Sequence, residues 1–463
     1  MLPVVALVGR PNVGKSTLYN SLTKSRDAIV SNMPGVTRDR LFGVCRRGDR
    51  PFMVVDTAGL TENEDVLAKG MSAQSWQAIS ESDLVCLVVD ARDGLNPDDT
   101  EIALRIRAMG KQMLLIVNKM DGLEESNARA EFSRLGIATT LLISAAHNQG
   151  IADLVEHLEG ALPPAPEEPE VDPSVIKIAI LGRPNVGKST LVNRLLGEER
   201  VLAMDLPGTT RDAVRIPLER DGKHYVLIDT AGIRRKARVG EGVEKFSVIK
   251  ALQAAEEAHV VVLILDAQQG FADQDAHLLG EIVSLGRGLV LAINKWDGLS
   301  VRERTQVTQR LDWGLGFVNF AKRLPISALH GSGLGELMKA VNKAHHAATR
   351  EFSASDLTKA INEAFEKHQP PLVRGRVAKM RYAHQGGRNP PRVIIHGNRL
   401  ASLPDAYKRY LENSLRDRFK LVGTPLVLEF RDAAANPFAA KVNVLTDRQV
   451  AKKRRLIRHV KGR

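Results

Sequence analysis

Cysteine is scarce: Cys45 and Cys86 are the two thiols among 463 residues. That excludes a disulfide framework and a cysteine-built zinc site. Long apolar runs are missing as well. The longest, Val260–Leu265, is far below the ~20 residues a membrane-spanning helix needs. The apolar start Met1–Val8 leads straight into a glycine-rich motif, so it reads as a core strand and not as a signal peptide. Aromatic residues make up 4% of the chain, which argues against extensive base stacking along single strands. For a nucleic-acid partner it favours folded RNA read through shape and phosphates. An acidic surplus is lacking too, and the net charge of +12 is unevenly placed: residues 344–463 hold 25 Lys/Arg against 10 Asp/Glu, which leaves about −3 for everything before them. The length predicts about three domains.

What is present is a repeat. The octapeptide Gly-Arg-Pro-Asn-Val-Gly-Lys-Ser stands at 9–16 and again at 182–189, matching the phosphate-loop pattern G-x-x-x-x-G-K-[ST] both times. Glycines let backbone amides close around phosphate oxygens, which makes Gly9, Asn12, Gly14 and Gly182, Asn185, Gly187 candidate cradle positions. Lys15 and Lys188 would neutralise the β/γ charge, Ser16 and Ser189 would hold magnesium, and Thr17 and Thr190 open the next helix. Each loop follows an apolar run (Val4–Val8; Ile176–Leu181) and precedes a helical pattern (Thr17–Leu22; Thr190–Leu196), the setting the motif requires.

The companion elements follow in order. Pro34-Gly-Val-Thr-Arg-Asp39 offers Thr37 to complete the magnesium shell, and the strand Phe52–Val55 delivers Asp56-Thr-Ala-Gly59, whose carboxylate sits near the metal while the Gly59 amide reaches a γ-phosphate. Leu114–Val117 delivers Asn118-Lys119-Met-Asp121. A carboxylate there accepts from both N1–H and the exocyclic amine of guanine, a donor pair that adenine lacks, so Asp121 argues for guanine. Thr139–Ile143 ends in Ser144-Ala145, whose backbone amide would meet the guanine oxygen. The series recurs as Thr210, Asp229, Gly232, Asn294, Lys295, Asp297, Ser327 and Ala328. The loop, the threonine and the Asp-Thr-Ala-Gly element all keep one offset of 173 residues. The duplicated unit is therefore a whole doubly wound α/β domain. A nucleotide-free, decayed second copy is the alternative, against which stands the survival of every chemical position. The catalytic candidates are Lys15, Thr37 and Gly59 with Lys188, Thr210 and Gly232; the magnesium candidates are Ser16, Thr37 and Asp56 with Ser189, Thr210 and Asp229.

The copies part after Asp-Thr-Ala-Gly. The first continues Leu60-Thr-Glu-Asn-Glu-Asp65, the second Ile233-Arg-Arg-Lys-Ala-Arg238. These are either two solvated loops or a division of labour, the acidic one docking on the basic C-terminal domain and the basic one facing nucleic acid. Leu60 and Ile233 stand where many switch GTPases carry a water-orienting glutamine, and an apolar side chain cannot orient water. Either both sites hardly hydrolyse, or another group supplies charge. Asn12 and Asn185 could coordinate a monovalent cation; they could equally be turn-formers.

Five prolines between 163 and 173, among acidic residues, mark a semi-rigid connector within Leu158–Pro173. Beyond Ala344 a new pattern begins: a helix over Asp356–His368 with Ser355 as its cap, strands over Arg374–His384 and Arg392–His396, a helix over Ala406–Phe419 and a strand over Leu426–Phe430. This order makes a small α+β sandwich. A tail with Lys452-Lys-Arg-Arg455 follows. Clustered basic charge reads as a phosphate-backbone binder, with a solubilising surface or anionic lipid as alternatives.

Taken together these residues resemble the bacterial tandem GTPases called Der or EngA. The likeness covers nearly the whole chain, including Tyr382-Ala-His-Gln-Gly-Gly-Arg-Asn-Pro-Pro391 and Ile395-His-Gly-Asn398. The fold implied is α/β: two tandem P-loop GTPase domains with doubly wound, mostly parallel sheets, then a small α+β KH-like domain and a basic tail. The domains are expected at 1–162 and 175–346 around a linker at 163–174, with the KH-like domain at 347–438 and the tail at 439–463. The resemblance implies a GTP-binding and GTP-hydrolysing switch acting in biogenesis and stability of the large (50S) ribosomal subunit, through nucleotide-gated binding to rRNA or a precursor. It implies GTP/GDP and Mg2+ as cofactors and K+ stimulation with Asn12 and Asn185 as potassium ligands. The protein is expected to be cytoplasmic, off the membrane and monomeric. One departure matters: the Gly-x-x-Gly loop of a standard KH domain is missing, because Gly386-Gly387 joins two strands, so the usual RNA groove does not carry over. A GTP-gated binding module with negligible turnover and a GTP-dependent RNA-modifying enzyme are the rival readings. The latter needs a further active site, for which the sequence offers no cysteine nucleophile, metal cluster or cofactor loop.

Overall fold

A computed structural model describes residues 1–23, 42–57, 73–164, 174–197, 215–228, 247–373 and 376–432. They fall into two compact units: Met1–Glu351 with Gly386–Arg392 and Arg416–Val427, and Phe352–Gln385 with Val393–Leu415 and the residues from Leu428 onward.

The first unit holds two sheets of one design. β1 (Val4–Val8), β2 (Phe42–Cys45), β3 (Phe52–Asp56), β4 (Leu84–Asp90), β5 (Met113–Asn118) and β6 (Thr140–Leu142) order as β2-β3-β1-β4-β5-β6. β2 runs antiparallel to β3, and the other neighbours are parallel. β7 (Ile176–Leu181), β8 (Ile216–Arg220), β9 (Lys223–Ile228), β10 (Val260–Asp266), β11 (Gly288–Asn294) and β12 (Lys322–Pro325) repeat that order as β8-β9-β7-β10-β11-β12. Central parallel strands are covered on both faces, so they are apolar at every position instead of alternating; β1, β4, β10 and β11 are buried throughout.

Helices supply the cover. α1 (Lys15–Thr23) and α5 (Ile151–Ala161) press Leu18, Leu22, Leu154 and Leu158 onto one face of the first sheet, while α2 (Ala73–Glu81), α3 (Pro97–Ala108) and α4 (Glu125–Phe132) place Ile79, Ile106 and Phe132 on the other. In the second sheet α6 (Lys188–Leu196) and α10 (Leu334–Thr349) face α7 (Val248–Glu257), α8 (Asp273–Ser284) and α9 (Val301–Gly314) across the strands in the same way. The connector begins later than Leu158, which is fully buried inside α5; the helix ends at Ala161 because Pro163 and Pro164 cannot continue it.

The second unit contains α11 (Ala354–Lys367), two-residue strands β13 (Leu372–Val373) and β14 (Arg376–Val377), and most of a sheet ordered β15-β16-β17: β15 (Lys379–Gly387), β16 (Arg392–Asn398) and β17 (Val427–Asp432), with α12 (Asp405–Phe419) before the last strand. Two expectations are corrected. The α11 cap is Ser353, not Ser355: the Ser353 hydroxyl accepts from the Asp356 amide at 3.0 Å, three residues on, as an N-cap must. The strand expected over Arg374–His384 is split, with a short antiparallel turn formed by β13 and β14 ahead of a β15 that starts at Lys379.

Candidate functional site

Both octapeptides leave a buried strand and turn into a helix, and the glycines are demanded by contact as much as by conformation. Gly9 and Gly182 both have φ +149°, and a Cβ on them would lie 2.2 Å from the Val88 carbonyl oxygen and 2.6 Å from that of Ile264. Gly14 (φ +96°) and Gly187 (φ +103°) leave room for the amide nitrogens of Asn118 and Asn294, 2.3 and 2.2 Å from where a Cβ would stand. Asn12 and Asn185 occupy the left-handed region at φ 67° and 63° and are exposed. Asparagine is among the few side chains that tolerate that region, which is one physical reason for it at the loop tip.

Lys15 folds back along its own loop, donating to the carbonyls of Gly9 at 2.8 Å and Arg10 at 2.7 Å; Lys188 does the same to Gly182 and Arg183 at 3.0 and 2.8 Å. Burial brings the Lys15 ammonium down to about 8, against the opposing charge of Asp56. The Ser16 hydroxyl donates to Asp56 at 2.7 Å, so two oxygen groups meet at the helix entry. That pair fits magnesium, which takes one or two carboxylate or hydroxyl ligands and keeps water. Ser16 and Thr17 are exposed, Ser189 is half-buried and Thr190 exposed, so both helix starts open to solvent.

The guanine elements close the site from the far strands. Asn118 is 2% exposed and both ends of its amide are engaged: it donates to the Val13 carbonyl at 2.9 Å and accepts from the Ala145 amide at 3.0 Å. Asn294 repeats this with Val186 at 2.8 Å and Ala328 at 2.8 Å. One side chain thereby ties the phosphate loop to the last loop of the sheet. Lys119 and Lys295, at φ 65° and 61°, reach Asp90 at 2.5 Å and Asp266 at 2.6 Å. Asp121 accepts from the Ser144 hydroxyl at 2.9 Å, which holds its carboxyl below the usual range, with the Arg92 guanidinium beside it contributing. Asp297 is lowered chiefly by Ser327, and His330 lies 3.3 Å from it. Thr37, Gly59, Thr210, Asp229 and Gly232 lie outside the described residues, as do both segments after Asp-Thr-Ala-Gly.

Sequence reasoning missed a tether. Arg10 Nε donates to Asp99 at 3.0 Å and Arg183 Nε to Asp275 at 2.9 Å, and both carboxylates are fully buried. Each also accepts from the backbone at the start of its helix, Asp99 from Asn96 and Asp275 from Ala272. The phosphate loop is thus fastened to the helix after the fourth strand of its sheet. The signal was available: Asp99 follows Asp90 by the same nine residues that separate Asp275 from Asp266.

Comparison with known proteins agrees with this arrangement. Residues 4–119 and 177–295 each match the family described as 50S ribosome-binding GTPase, and residues 352–431 match the KH-domain-like C-terminal family of EngA bacterial GTPase enzymes. The chain is 55% identical to GTPase Der of Xanthomonas campestris pv. campestris (strain B100) and 54% identical to GTPase Der of Thioalkalivibrio sulfidiphilus, with full coverage of both chains in each pair. Among solved structures, Aquifex aeolicus Era aligns at 23% identity and a TM-score of 0.29, covering 56% of this chain and 93% of that one, a likeness too slight to argue from. Two sheets of one topology, two loops with the same internal contacts and full-length identity above one half have a single account: the chain belongs to the Der (EngA) family of tandem-domain GTPases, which bind GTP and GDP with magnesium.

Proposed function

We propose that the chain is a two-site GTP switch acting in biogenesis and stability of the large (50S) ribosomal subunit, gated by nucleotide in its binding to rRNA. The observation that carries two working sites is the repeated asparagine bridge. A decayed copy has no reason to retain a buried amide that ties the phosphate loop to the guanine loop, and Asn294 makes the same two bonds as Asn118. The basic C-terminal quarter and the 50S-binding family description support the partner.

In each domain the loop amides bind the phosphates, Lys15 or Lys188 meets the β/γ charge, and Asp121 or Asp297 reads guanine. Magnesium, held by Ser16, Thr37 and Asp56 and by Ser189, Thr210 and Asp229, would offset charge on the transferring phosphoryl group. Leu60 and Ile233 cannot orient water, so we assign to Asn12 and Asn185, exposed at the loop tips, the part of holding potassium, which would supply compensating positive charge during hydrolysis. The domain limits are proposed at 1–162, 175–346 and 347–438, and the protein as cytoplasmic and monomeric. Among the described residues no helix is long and apolar enough to cross a membrane.

The test is co-sedimentation with isolated large subunits in potassium buffer, comparing GDP with a non-hydrolysable GTP analogue in both domains. Binding only with the analogue supports the reading; absence of binding in either state at moderate salt overturns it. Turnover that rises when potassium replaces sodium separates a hydrolase of this mechanism from a GTP-gated binding module.

A further inference from the structure

Three aromatic side chains in the C-terminal sheet lie almost parallel. The ring centroids of Tyr382 and His396 are 4.5 Å apart with planes inclined by 11°; His384 and His396 are 5.2 Å apart at 16°, and Tyr382 and His384 are 6.1 Å apart at 23°. They stand on two neighbouring strands, and period-two alternation puts them on one face. The opposite face is the helix side. Ala383, between Tyr382 and His384, is fully buried; its amide donates to the Thr358 hydroxyl of α11 at 3.0 Å, and that hydroxyl returns a bond to the Ala383 carbonyl at 3.3 Å. Ile395, the neighbour of His396, is fully buried too. On β17, Phe430 lies under Lys408 of α12, which turns Glu429 and Arg431 toward the ring face.

A core explains none of this, because Tyr382 is 48% exposed. The His396 Nε2 atom is buried and finds no hydrogen-bond partner among the described residues. Burial, His384 and Arg431 keep His396 below its ordinary range, so its ring is neutral near pH 7 and stacks without a charge to desolvate. The surrounding sequence is one-signed: Arg376 to Arg399 carries six Lys/Arg and no Asp/Glu.

We propose that the Tyr382, His396 and His384 stack is a platform for an unpaired RNA base, which lies on the exposed tyrosine ring while Arg431, on the same face of the sheet, meets an adjoining phosphate. The proposal rests on the rRNA-binding reading and gives that reading a subsite. A sheet face bearing parallel rings with an exposed arginine beside them fits single-stranded nucleic acid, since every base has a π-face and every nucleotide one negative charge. It also qualifies the expectation drawn from low aromatic content: stacking over a long strand is excluded, but one local platform needs only three rings.

The test uses the full-length protein and a ten-nucleotide single-stranded RNA carrying one 2-aminopurine, read by anisotropy and by quenching of the analogue. Stacking is worth about 5- to 100-fold per base. Tyr382→Leu, which keeps an apolar side chain and removes the π-face, should therefore weaken binding about tenfold and abolish quenching, with the salt dependence unchanged. Tyr382→Phe should retain both. Arg431→Ala should lower the salt slope and leave quenching in place. Wild-type affinity and quenching in Tyr382→Leu would overturn the platform. An unchanged thermal-unfolding transition of the C-terminal unit in that variant, beside unchanged basal GTP turnover, shows that a loss is not unfolding. Large-subunit co-sedimentation run beside it keeps the two readings apart: tyrosine-dependent oligonucleotide binding without subunit binding sinks the ribosomal partner and leaves the platform standing.

Discussion

At the scale of single residues, the chemistry of each site is set by a few side chains whose partners differ between the copies. Asp121 has Ser144 and Arg92 against it, whereas Asp297 has Ser327 and His330. Asp121→Asn should lower guanine-nucleotide affinity of the first domain by a hundredfold or more and raise affinity for xanthine nucleotide, because an amide donates where the carboxylate only accepts. Competition binding with GDP and XDP in a Lys188→Ala background reads this. Lys15 makes a pH prediction. Its folded value of about 8 lies below its ordinary 10.5, so between those values the unfolded chain binds more protons, and stability of the nucleotide-free protein rises with pH across the window. The penalty relieved is of order 3 kcal/mol. Nucleotide binding has the opposite sign, since phosphate needs the charged ammonium: GDP affinity at the first site should fall by up to tenfold per pH unit above about 8, measured by calorimetry from pH 7.5 to 9. A flat profile would mean that Lys15 stays charged throughout.

At the scale of elements, loops bound to buried strands build the site. Asn118→Ala removes one side chain but leaves both the Val13 carbonyl and the Ala145 amide without partners in a buried place, at roughly 1–3 kcal/mol each. Thermal unfolding of the first domain should drop by several degrees and its GDP affinity should fall together with it, while Asn294→Ala does the same to the second. The helix cap gives a cleaner contrast. Ser353→Ala should destabilise the C-terminal domain by about 1 kcal/mol, and Ser355→Ala should leave its denaturation midpoint within error. The adjacent serine was the natural choice from sequence because it directly precedes the acidic Asp356. The chain enters the helix two residues earlier, at Ala354, and the bond to the amide three residues on selects Ser353. The strand expected from Arg374 fails for a similar reason: β-propensity runs on through Val377, but pairing of Leu372 with Val377 closes a local turn first.

At the scale of the whole molecule, the two GTPase domains lie in one compact unit, and the Glu256 carboxylate meets Arg46 of the first domain and Arg287 of the second. Even so, each site is assembled from its own sheet. Lys15→Ala and Lys188→Ala should each abolish nucleotide binding in their own domain and leave the other within about twofold, read by counting bound GDP per chain; loss at both sites from either change would mean that they bind as one. How much of this was legible beforehand follows from range in sequence. Strands at Val4–Val8 and Ile176–Leu181, the loops and the guanine elements were readable because phosphate and guanine recognition fix residue types at short spacings, and duplication shows each twice. The Arg10–Asp99 tether, the asparagine bridge and the parallel rings of Tyr382, His384 and His396 were not. Their members are 89, 105 and 12 or 14 residues apart. Sequence alone determined that two nucleotide domains precede a basic third one, because composition and motif are local properties. Only the tertiary structure decided which buried polar groups meet and which rings share a face, because those depend on sheet order and strand pairing that bring distant residues together.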